Sequence, residues 1–343
     1  MPPSRKRPLP AEIHDDLNVR RVRINPDGLR KHYSYTRLRH TDETRLLTIQ
    51  PGEGETDVHC TLHHVRFSER PVYEALSYTW GGKEKPCRIE CGEGSELAVT
   101  RNCFNAIKRL RRAARSRTVW IDAVCIDQED DAERGHQVGI MPSIYREATR
   151  VVVYLGEAAD ESDRAMDYIH LDKWQDDWRK TVPPVAVQKL LERPWFSRIW
   201  VLQEVYMAKS VTVMCGEKSL PWEPYFRQLK DWPSQNALVQ VPQILNMRTD
   251  QWNKSTISRN LLDLLARTRH CNCEDPRDRI FALLSMSSED SRLGINVDYT
   301  ISVEELYANL AMHMIERLGL DEALSVVEFE ETRRTKSPKI AYP

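Results

Sequence analysis

The feature that most constrains the fold is a set of short apolar runs that alternate with helical patterns between residues 102 and 215. RVVVYLG (150–156) is apolar without a break, which is typical of a strand buried on both faces of a parallel sheet. TVWIDAV (118–124) and SVTVMCG (210–216) indicate two further strands of this kind. Apolar residues at helical spacing lie between the runs. The alternation predicts an α/β fold with a doubly wound, mostly parallel sheet.

The segments on either side of this region have different patterns. RLLTIQP (45–51), VHCTLHHVRF (58–67) and CRIECGEGSELAVT (87–100) alternate like strands and hairpins, which predicts β elements towards the N-terminus. After about residue 220 the pattern is mostly helical, as in STISRNLLDLLARTRH (255–270). We therefore predict three regions: a loose tail (1–32), an α/β domain with a helical insertion (33–218, insertion 157–193) and a mostly helical C-terminal region (219–343).

Composition gives no support for nucleic acid or a membrane as partner. Hydrophobic residues make up 41% of the 343 residues, which is enough for a substantial core. Fifty basic and 51 acidic residues leave a net charge of −1, so overall charge gives no reason to expect nucleic acid or a membrane surface as partner. The sequence contains no run of 18 apolar residues, so we predict no transmembrane helix.

Cysteine usage points to a reducing compartment. The eight cysteines come without a secretory signal, so we expect reduced thiols and a cytoplasmic protein. The basic stretch SRKRP (4–8) leaves a nuclear address open as an alternative.

Unusual side chains follow the predicted parallel strands, at the edge where ligands bind in open α/β sheets. They come after TVWIDAV and after a further predicted strand, in VYEALSYTWGG (72–82), and we expect them to line one site: Tyr78, Trp80, Gly81, Asp122, Cys125 and Asp127. Capping of the next turn is an equal alternative for Asp122 and Asp127. Cys125 is more simply explained as a small packed residue than as a nucleophile.

The stretch PWFSRIWVLQEV (194–205) carries a single acid, Glu204, among aromatic and aliphatic residues. In a continuous helix, Phe196, Trp200 and Glu204 would share one stripe. Two interpretations remain open: a salt-bridged acid on a helix rim, or a catalytic acid in a pocket.

Several common motifs are absent from the sequence. It has no GxGxxG, GxxxxGK[ST], HExxH or GxSxG pattern, which gives no support to a Rossmann dinucleotide loop, a P-loop, a zinc protease or a serine hydrolase. HCNC (270–273) and CRIEC (87–91) are too sparse for a zinc site. We predict no metal site and no required cofactor.

Three blocks resemble the signature blocks of the fungal HET (heterokaryon incompatibility) domain and together span 73–216. The blocks are YEALSYTWG (73–81), VWIDAVCIDQEDDAERGHQVGIMPSIYREATRVVVYLG (119–156) and WFSRIWVLQEVYMAKSVTVMCG (195–216). DPRDRIFALL (275–284) and VDYTISVEELY (297–307) resemble segments that often follow the domain. The resemblance implies a role in fungal non-self recognition, in which the domain triggers programmed cell death.

The HET domain is regarded as a distant relative of TIR domains, and the order of elements here is similar. Ser77-Tyr78 resembles the pair that ends the first TIR strand, and WID (120–122) resembles its second strand, which ends in an acid. SRIWVLQEV (197–205) is similar to the TIR helix whose glutamate cleaves NAD⁺. The resemblance thus implies a TIR-like, flavodoxin-like fold, with Glu204 as the candidate catalytic acid and NAD⁺ as the candidate substrate.

In this interpretation a carboxylate stabilises an oxocarbenium ion on the ribose as nicotinamide leaves. Trp80 or Trp200 would stack on a ring of the substrate, and Arg134 or Arg198 would meet the pyrophosphate. Simpler alternatives are a core position for Trp200 and a surface ion pair for Arg134.

By analogy with TIR enzymes we expect a homo-oligomer, and a separate protein as activator. The competing hypothesis is a non-catalytic HET module that works by self-association and partner binding.

Overall fold

The computed structural model describes residues 31–54, 56–92, 94–170, 184–226, 229, 244, 260–288 and 294–319. In this part of the chain, strands and helices alternate as the sequence predicts, and one large sheet organises the molecule. The strands are β1 (Lys31–His32), β2 (Glu43–Ile49), β3 (His59–Arg66), β4 (Glu74–Tyr78), β5 (Cys87–Cys91), β6 (Ser95–Val99), β7 (Arg117–Trp120), β8 (Val151–Tyr154), β9 (Val211–Cys215) and β10 (Lys218–Pro221).

Helices fill the connections between these strands and most of the described C-terminal part. They are α1 (Arg101–Leu110), α2 (Asp122–Cys125), α3 (Asp131–Glu147), α4 (Ser162–His170), α5 (Pro184–Leu191), α6 (Trp200–Met207), α7 (Leu261–Thr268), α8 (Asp278–Leu284) and α9 (Val303–Leu318). Helix starts follow capping chemistry: the Thr100 hydroxyl accepts from Cys103 N at 3.2 Å at the start of α1.

The sheet has the strand order β1-β6-β5-β3-β2-β7-β4-β8-β9-β10. Its central strands β7, β4, β8 and β9 are parallel, as predicted. Along the chain they are the second, first, third and fourth strands of that group. Every residue of β8 is buried, as expected for a strand covered on both faces.

The N-terminal β elements do not form a separate layer. β2 pairs antiparallel with β7 on one side and with β3 on the other, so the hairpins extend the parallel sheet. The sheet is therefore mixed. Its central strands are parallel, as predicted, and β2 joins them through antiparallel pairing. Leu47, fully buried, lies opposite Leu62 and Val119, where the two halves of the sheet meet.

The predicted region boundaries stay predictions. Lys31 and His32, the end of the predicted tail, pair with β6, while residues 1–30 lie outside the described residues. The predicted insertion contains α4 and α5, and residues 171–183 between them lie outside the described residues. No described helix is long and apolar enough to cross a membrane.

Leu47→Ala tests the junction between the two halves of the sheet. Removing this side chain leaves a cavity against two neighbouring strands and should lower the free energy of unfolding by about 2–5 kcal/mol in urea titrations. Val72→Ala is the control, because Val72 is 79% exposed and its truncation should change stability by less than about 0.5 kcal/mol. Equal effects of the two changes would contradict the topology.

Candidate functional site

The candidate site lies at the carboxyl end of β4, beside β8. Ser77 and Tyr78 pair in register with Val153 and Tyr154. Among the four parallel strands, the one that follows β4 along the chain is β7, on one side of it, and the one that follows β8 is β9, on the other side. Neighbouring strands that connect in opposite directions form a topological switch point, which is where open α/β sheets bind their ligands.

Glu204 on α6 is buried against this strand end, with an exposed fraction of only 3%. The Ser77 hydroxyl donates to the Glu204 carboxylate, and Trp195 Nε1 donates to Ser77 Oγ at 2.8 Å. An indole N–H can only donate, so the Ser77 oxygen accepts it and its own proton is directed at Glu204. This relay fixes the position of the carboxylate.

Burial raises the pKa of Glu204 to about 7, with a smaller contribution from Asp122. The positive charge of Arg198 and the hydrogen bond from Ser77 oppose this rise. Glu204 therefore changes its charge near neutral pH, as general acids and bases commonly do.

Asp122 is the second acid of the site and is half-buried at the start of α2. Its carboxylate accepts from Trp80 Nε1 at 2.7 Å and from Ala123 N at 2.7 Å. Burial raises its pKa, and Arg198 and these donors act in the opposite direction. Asp122 therefore contacts the next turn, as the capping alternative predicts, and also holds Trp80, while its contact with a ligand stays a prediction.

Arg198 links the two acids. One of its nitrogens donates to the Tyr78 carbonyl oxygen. Burial raises the pKa of both Glu204 and Asp122, and the positive charge of Arg198 opposes this rise at each acid. We call Ser77, Trp80, Asp122, Arg198 and Glu204 the carboxylate site.

The segment that carries Arg198 corrects one prediction. Residues 194–205 are not one helix: Pro194–Ser197 is a 3₁₀ turn, Arg198 is extended, and α6 begins at Trp200. The backbone opens because a later segment pairs with it, as Ile199 N donates to Asn272 O at 3.0 Å and Asn272 N to Ser197 O at 2.6 Å. Phe196 therefore does not share a stripe with Glu204, which would have required a continuous helix, whereas Trp200 and Glu204 lie one turn apart on α6.

The structure brings together five of the predicted site residues: Tyr78, Trp80, Asp122, Arg198 and Glu204. Tyr78 is buried, and its carbonyl oxygen accepts a hydrogen bond from Arg198. Gly81 follows Trp80 with φ +76°, and a Cβ there would lie 3.2 Å from Asn102 Cβ, so this turn favours a glycine. Whether these residues bind a ligand stays a prediction.

The other four predicted residues make different contacts, each for a physical reason. Cys125 is fully buried and burial raises its thiol pKa to about 12, so it is a packed core residue. Asp127 Oδ1 accepts from Glu129 N at 3.1 Å and caps its own turn. Neither side chain is directed to the carboxylate site by these contacts.

Arg134 and Trp200 both contact the C-terminal region. Arg134 pairs with Asp131 at 2.8 Å, and its guanidinium carbon lies 5.9 Å from the ring centroid of Tyr299. Burial raises the pKa of Asp278, and a hydrogen bond from Trp200 opposes this rise. Tyr299 OH donates to Asp278 at 2.6 Å. Arg134 and Trp200, predicted to contact a ligand, therefore contact residues that hold α8 instead.

Sequence reasoning missed Ser77 and Trp195 as site residues. A serine inside the buried strand EALSY indicates a specific partner, because a buried hydroxyl without a hydrogen bond is costly. A buried tryptophan such as Trp195 needs an acceptor for its N–H in the same way. No cluster of three or more His, Cys, Asp or Glu in the described ranges could hold a metal ion.

Comparison with known proteins agrees with the resemblance. Residues 73–204 match the family model described as heterokaryon incompatibility protein (HET). The heterokaryon incompatibility protein 6, OR allele, of Neurospora crassa is 26% identical over 83% of this chain. The vegetative incompatibility protein HET-E-1 of Podospora anserina is 29% identical over 43% of this chain. No solved structure matches the chain.

The chain spans only part of each relative, 54% of the Neurospora protein and 10% of the Podospora protein. The match to the family model ends at Glu204, so it includes the candidate acid together with Ser77 and Asp122.

The buried acid predicts a pH-dependent stability. The folded-state pKa of Glu204, about 7, exceeds the ordinary 4.5, so the folded protein holds this proton more tightly than the unfolded chain. The Glu204 contribution to the free energy of unfolding should therefore fall by roughly 3 kcal/mol as pH rises from about 4.5 to about 7. Urea titrations should show Glu204→Gln gaining stability relative to the natural chain over this range.

Glu74→Gln is the matched control. Burial opposes its ionisation, but Arg117 and Arg150 hold the pKa of Glu74 below its usual value. Its contribution is then fully present above the ordinary carboxyl pKa. Glu74→Gln should lower stability equally at about pH 5 and pH 8, and a Glu204→Gln effect that is equally flat would contradict the assignment.

Proposed function

Because residues 73–204 form a HET domain, the chain is a fungal HET-domain protein, and from this premise we propose that it acts in heterokaryon incompatibility. In this role its HET domain cleaves the bond between nicotinamide and ribose in NAD⁺, and the loss of NAD⁺ leads to cell death. The observation that carries the chemistry is the pair of acids, Glu204 and Asp122, around Arg198 at the sheet's switch point.

The topology supports a TIR-like enzyme. The parallel strands stand in the spatial order second, first, third and fourth, which is the order of flavodoxin-like sheets. Glu204 follows the third strand on a helix that returns to the end of the first, as the resemblance implies for the catalytic acid. Ser77, from the Ser-Tyr pair of that resemblance, is the residue that donates to Glu204.

The chemistry needs a carboxylate and little acid help. The C1′–N bond breaks, nicotinamide leaves as a neutral molecule with the bonding electrons, and positive charge develops on the ribose. Ionised Glu204 stabilises that charge. Water then adds to C1′ and gives up a proton, for which Asp122 is the second acceptor at the site, and the product is ADP-ribose.

Other groups of the carboxylate site fit the rest of the substrate. Trp80 is half-buried, and its indole is held by Asp122, which leaves part of a flat surface at the edge of the site for a ring to stack on. Arg198 is also half-buried and supplies the positive charge that a pyrophosphate requires.

A second candidate function rests on the burial of Glu204. The Glu204 carboxylate is 3% exposed and accepts a hydrogen bond from Ser77, so it can have a purely structural role without any ligand. This favours a HET module that signals by self-association and partner binding. In both cases we propose a homo-oligomer with a separate protein activator, acting in the cytoplasm rather than the nucleus.

Nicotinamide release from NAD⁺ by the purified chain distinguishes the two functions. Glu204→Gln should lower the rate at least about 100-fold, because the variant cannot ionise at the ribose. In the natural chain the rate should rise with pH through about 7, as Glu204 loses its proton. Glu192→Gln, at an exposed carboxylate, should leave the rate unchanged.

Light scattering on the same samples records self-association. Oligomers that release no nicotinamide would reject the enzyme and support the signalling module. Release that survives Glu204→Gln would reject the acid while keeping the reaction.

A further inference from the structure

Three polar side chains form a hydrogen-bonded chain outside the HET match, on the N-terminal β elements. Thr36 Oγ1 lies 2.8 Å from His64 Nε2, and His64 Nδ1 lies 2.8 Å from Glu43 Oε1. Thr36 is exposed, the His64 side chain is 30% exposed, and Glu43 is buried. A hydroxyl at the surface is thus connected through an imidazole to a buried acid.

The protonation states follow from the contacts of Glu43. Burial opposes ionisation of this acid, but hydrogen bonds from Arg39 N, His64 and His40 N outweigh burial and lower its pKa to about 2. An ionised carboxylate can only accept, so His64 Nδ1 carries a proton. In neutral His64, Nε2 is then the free acceptor, and the Thr36 hydroxyl donates to it.

The segment that carries Thr36 is held in place from both sides. Arg45 is completely buried and donates to the Thr36 carbonyl at 2.6 Å and to the Cys125 carbonyl at 3.1 Å. Glu133 holds the same guanidinium with two contacts, at 2.5 and 2.8 Å. Such a bidentate contact fixes the orientation of the guanidinium.

Neighbouring contacts hold the rest of the arrangement. Tyr35 OH donates to Val124 O at 2.9 Å, which anchors the residue before Thr36. Arg45 and His64 are register partners on β2 and β3, so their side chains leave the sheet on one face. The hydroxyl and the imidazole are therefore preorganised by buried groups, which is a requirement for a catalytic constellation.

We propose that Thr36, His64 and Glu43 form an acyl-transfer site that hydrolyses carboxylic esters. Each residue has the position of its counterpart in a nucleophile–histidine–acid triad: Thr36 is the nucleophile, His64 the general base, and Glu43 the positioning residue that holds the imidazole. The site is independent of the carboxylate site and of the proposed cleavage of NAD⁺.

The reaction balances with water as the only co-reactant. Thr36 Oγ1 attacks the ester carbonyl carbon while His64 Nε2 takes the hydroxyl proton, and the bond to the alcohol breaks as the alcohol receives that proton. Water then attacks the acyl-Thr36 ester and passes a proton through His64, which restores the Thr36 hydroxyl and releases the carboxylic acid.

The test follows hydrolysis of p-nitrophenyl acetate by the full chain, with mass spectrometry of the peptide that contains Thr36. We expect an acetyl group on Thr36 in the rapidly quenched reaction. Thr36→Ala and His64→Gln should each lower turnover at least about 100-fold, whereas Thr36→Ser keeps a hydroxyl and should stay active. Glu43→Gln should lower kcat and leave KM unchanged, because its partner loses orientation and substrate contacts do not change.

A neighbouring histidine supplies the matched control. His63 is another exposed imidazole on β3, so His63→Gln measures hydrolysis by surface histidines in general and should leave turnover unchanged. Circular dichroism of each variant separates loss of folding from loss of activity. Turnover that persists in Thr36→Ala, or a reaction without acetyl-Thr36, would overturn the proposal even if every variant folds.

Discussion

The hydrogen bond from Ser77 to Glu204 joins the two elements on which the HET domain depends. Ser77 is the residue before the last in the central strand β4, and Glu204 lies on the helix that packs over that strand end. A carboxylate this deeply buried is costly unless donors and a positive charge accompany it. Trp195 orients the serine and Arg198 supplies the charge, so the surrounding residues can be understood as the support that one buried acid requires.

The same constraint explains the distribution of charge across the site. Asp122 is the second acid whose pKa burial raises, and Arg198 acts on both. One guanidinium beside two partly desolvated carboxylates leaves the cluster able to hold or release a proton near neutral pH. Such a cluster fits a reaction that develops positive charge, and it equally fits the non-catalytic signalling module.

Sequence patterns identified the parallel core because unbroken apolar runs such as 150–156 have few alternatives within a chain of this composition. They also placed Tyr78, Trp80 and Asp122 together, because the carboxyl ends of parallel strands meet at one edge, whereas Arg198 and the catalytic role of Glu204 came from the TIR resemblance. Patterns failed where a distant segment decides the local structure. Periodicity favours one helix over 194–205, and only the pairing of Asn272 with Ser197 and Ile199 opens it at Arg198.

Long-range contacts also decided the remaining differences. Arg134 and Trp200 contact Tyr299 and Asp278, residues more than 70 positions later in the chain, and no local pattern predicts such a partner. The hydrogen-bonded chain of Thr36, His64 and Glu43 is equally invisible in the sequence, since its members come from a loop and two strands. Spacing rules describe one element at a time, and these contacts join several.

The pairing at Asn272 has a consequence for where the domain ends. The family match stops at Glu204, yet the backbone of Arg198 takes its extended form by pairing with a residue that lies 68 positions beyond that limit. A polypeptide cut at the end of the family match would leave Arg198 free to continue the helical path that its own sequence favours. The guanidinium would then leave the two acids. The smallest unit with an intact site is therefore larger than the domain that the family match defines.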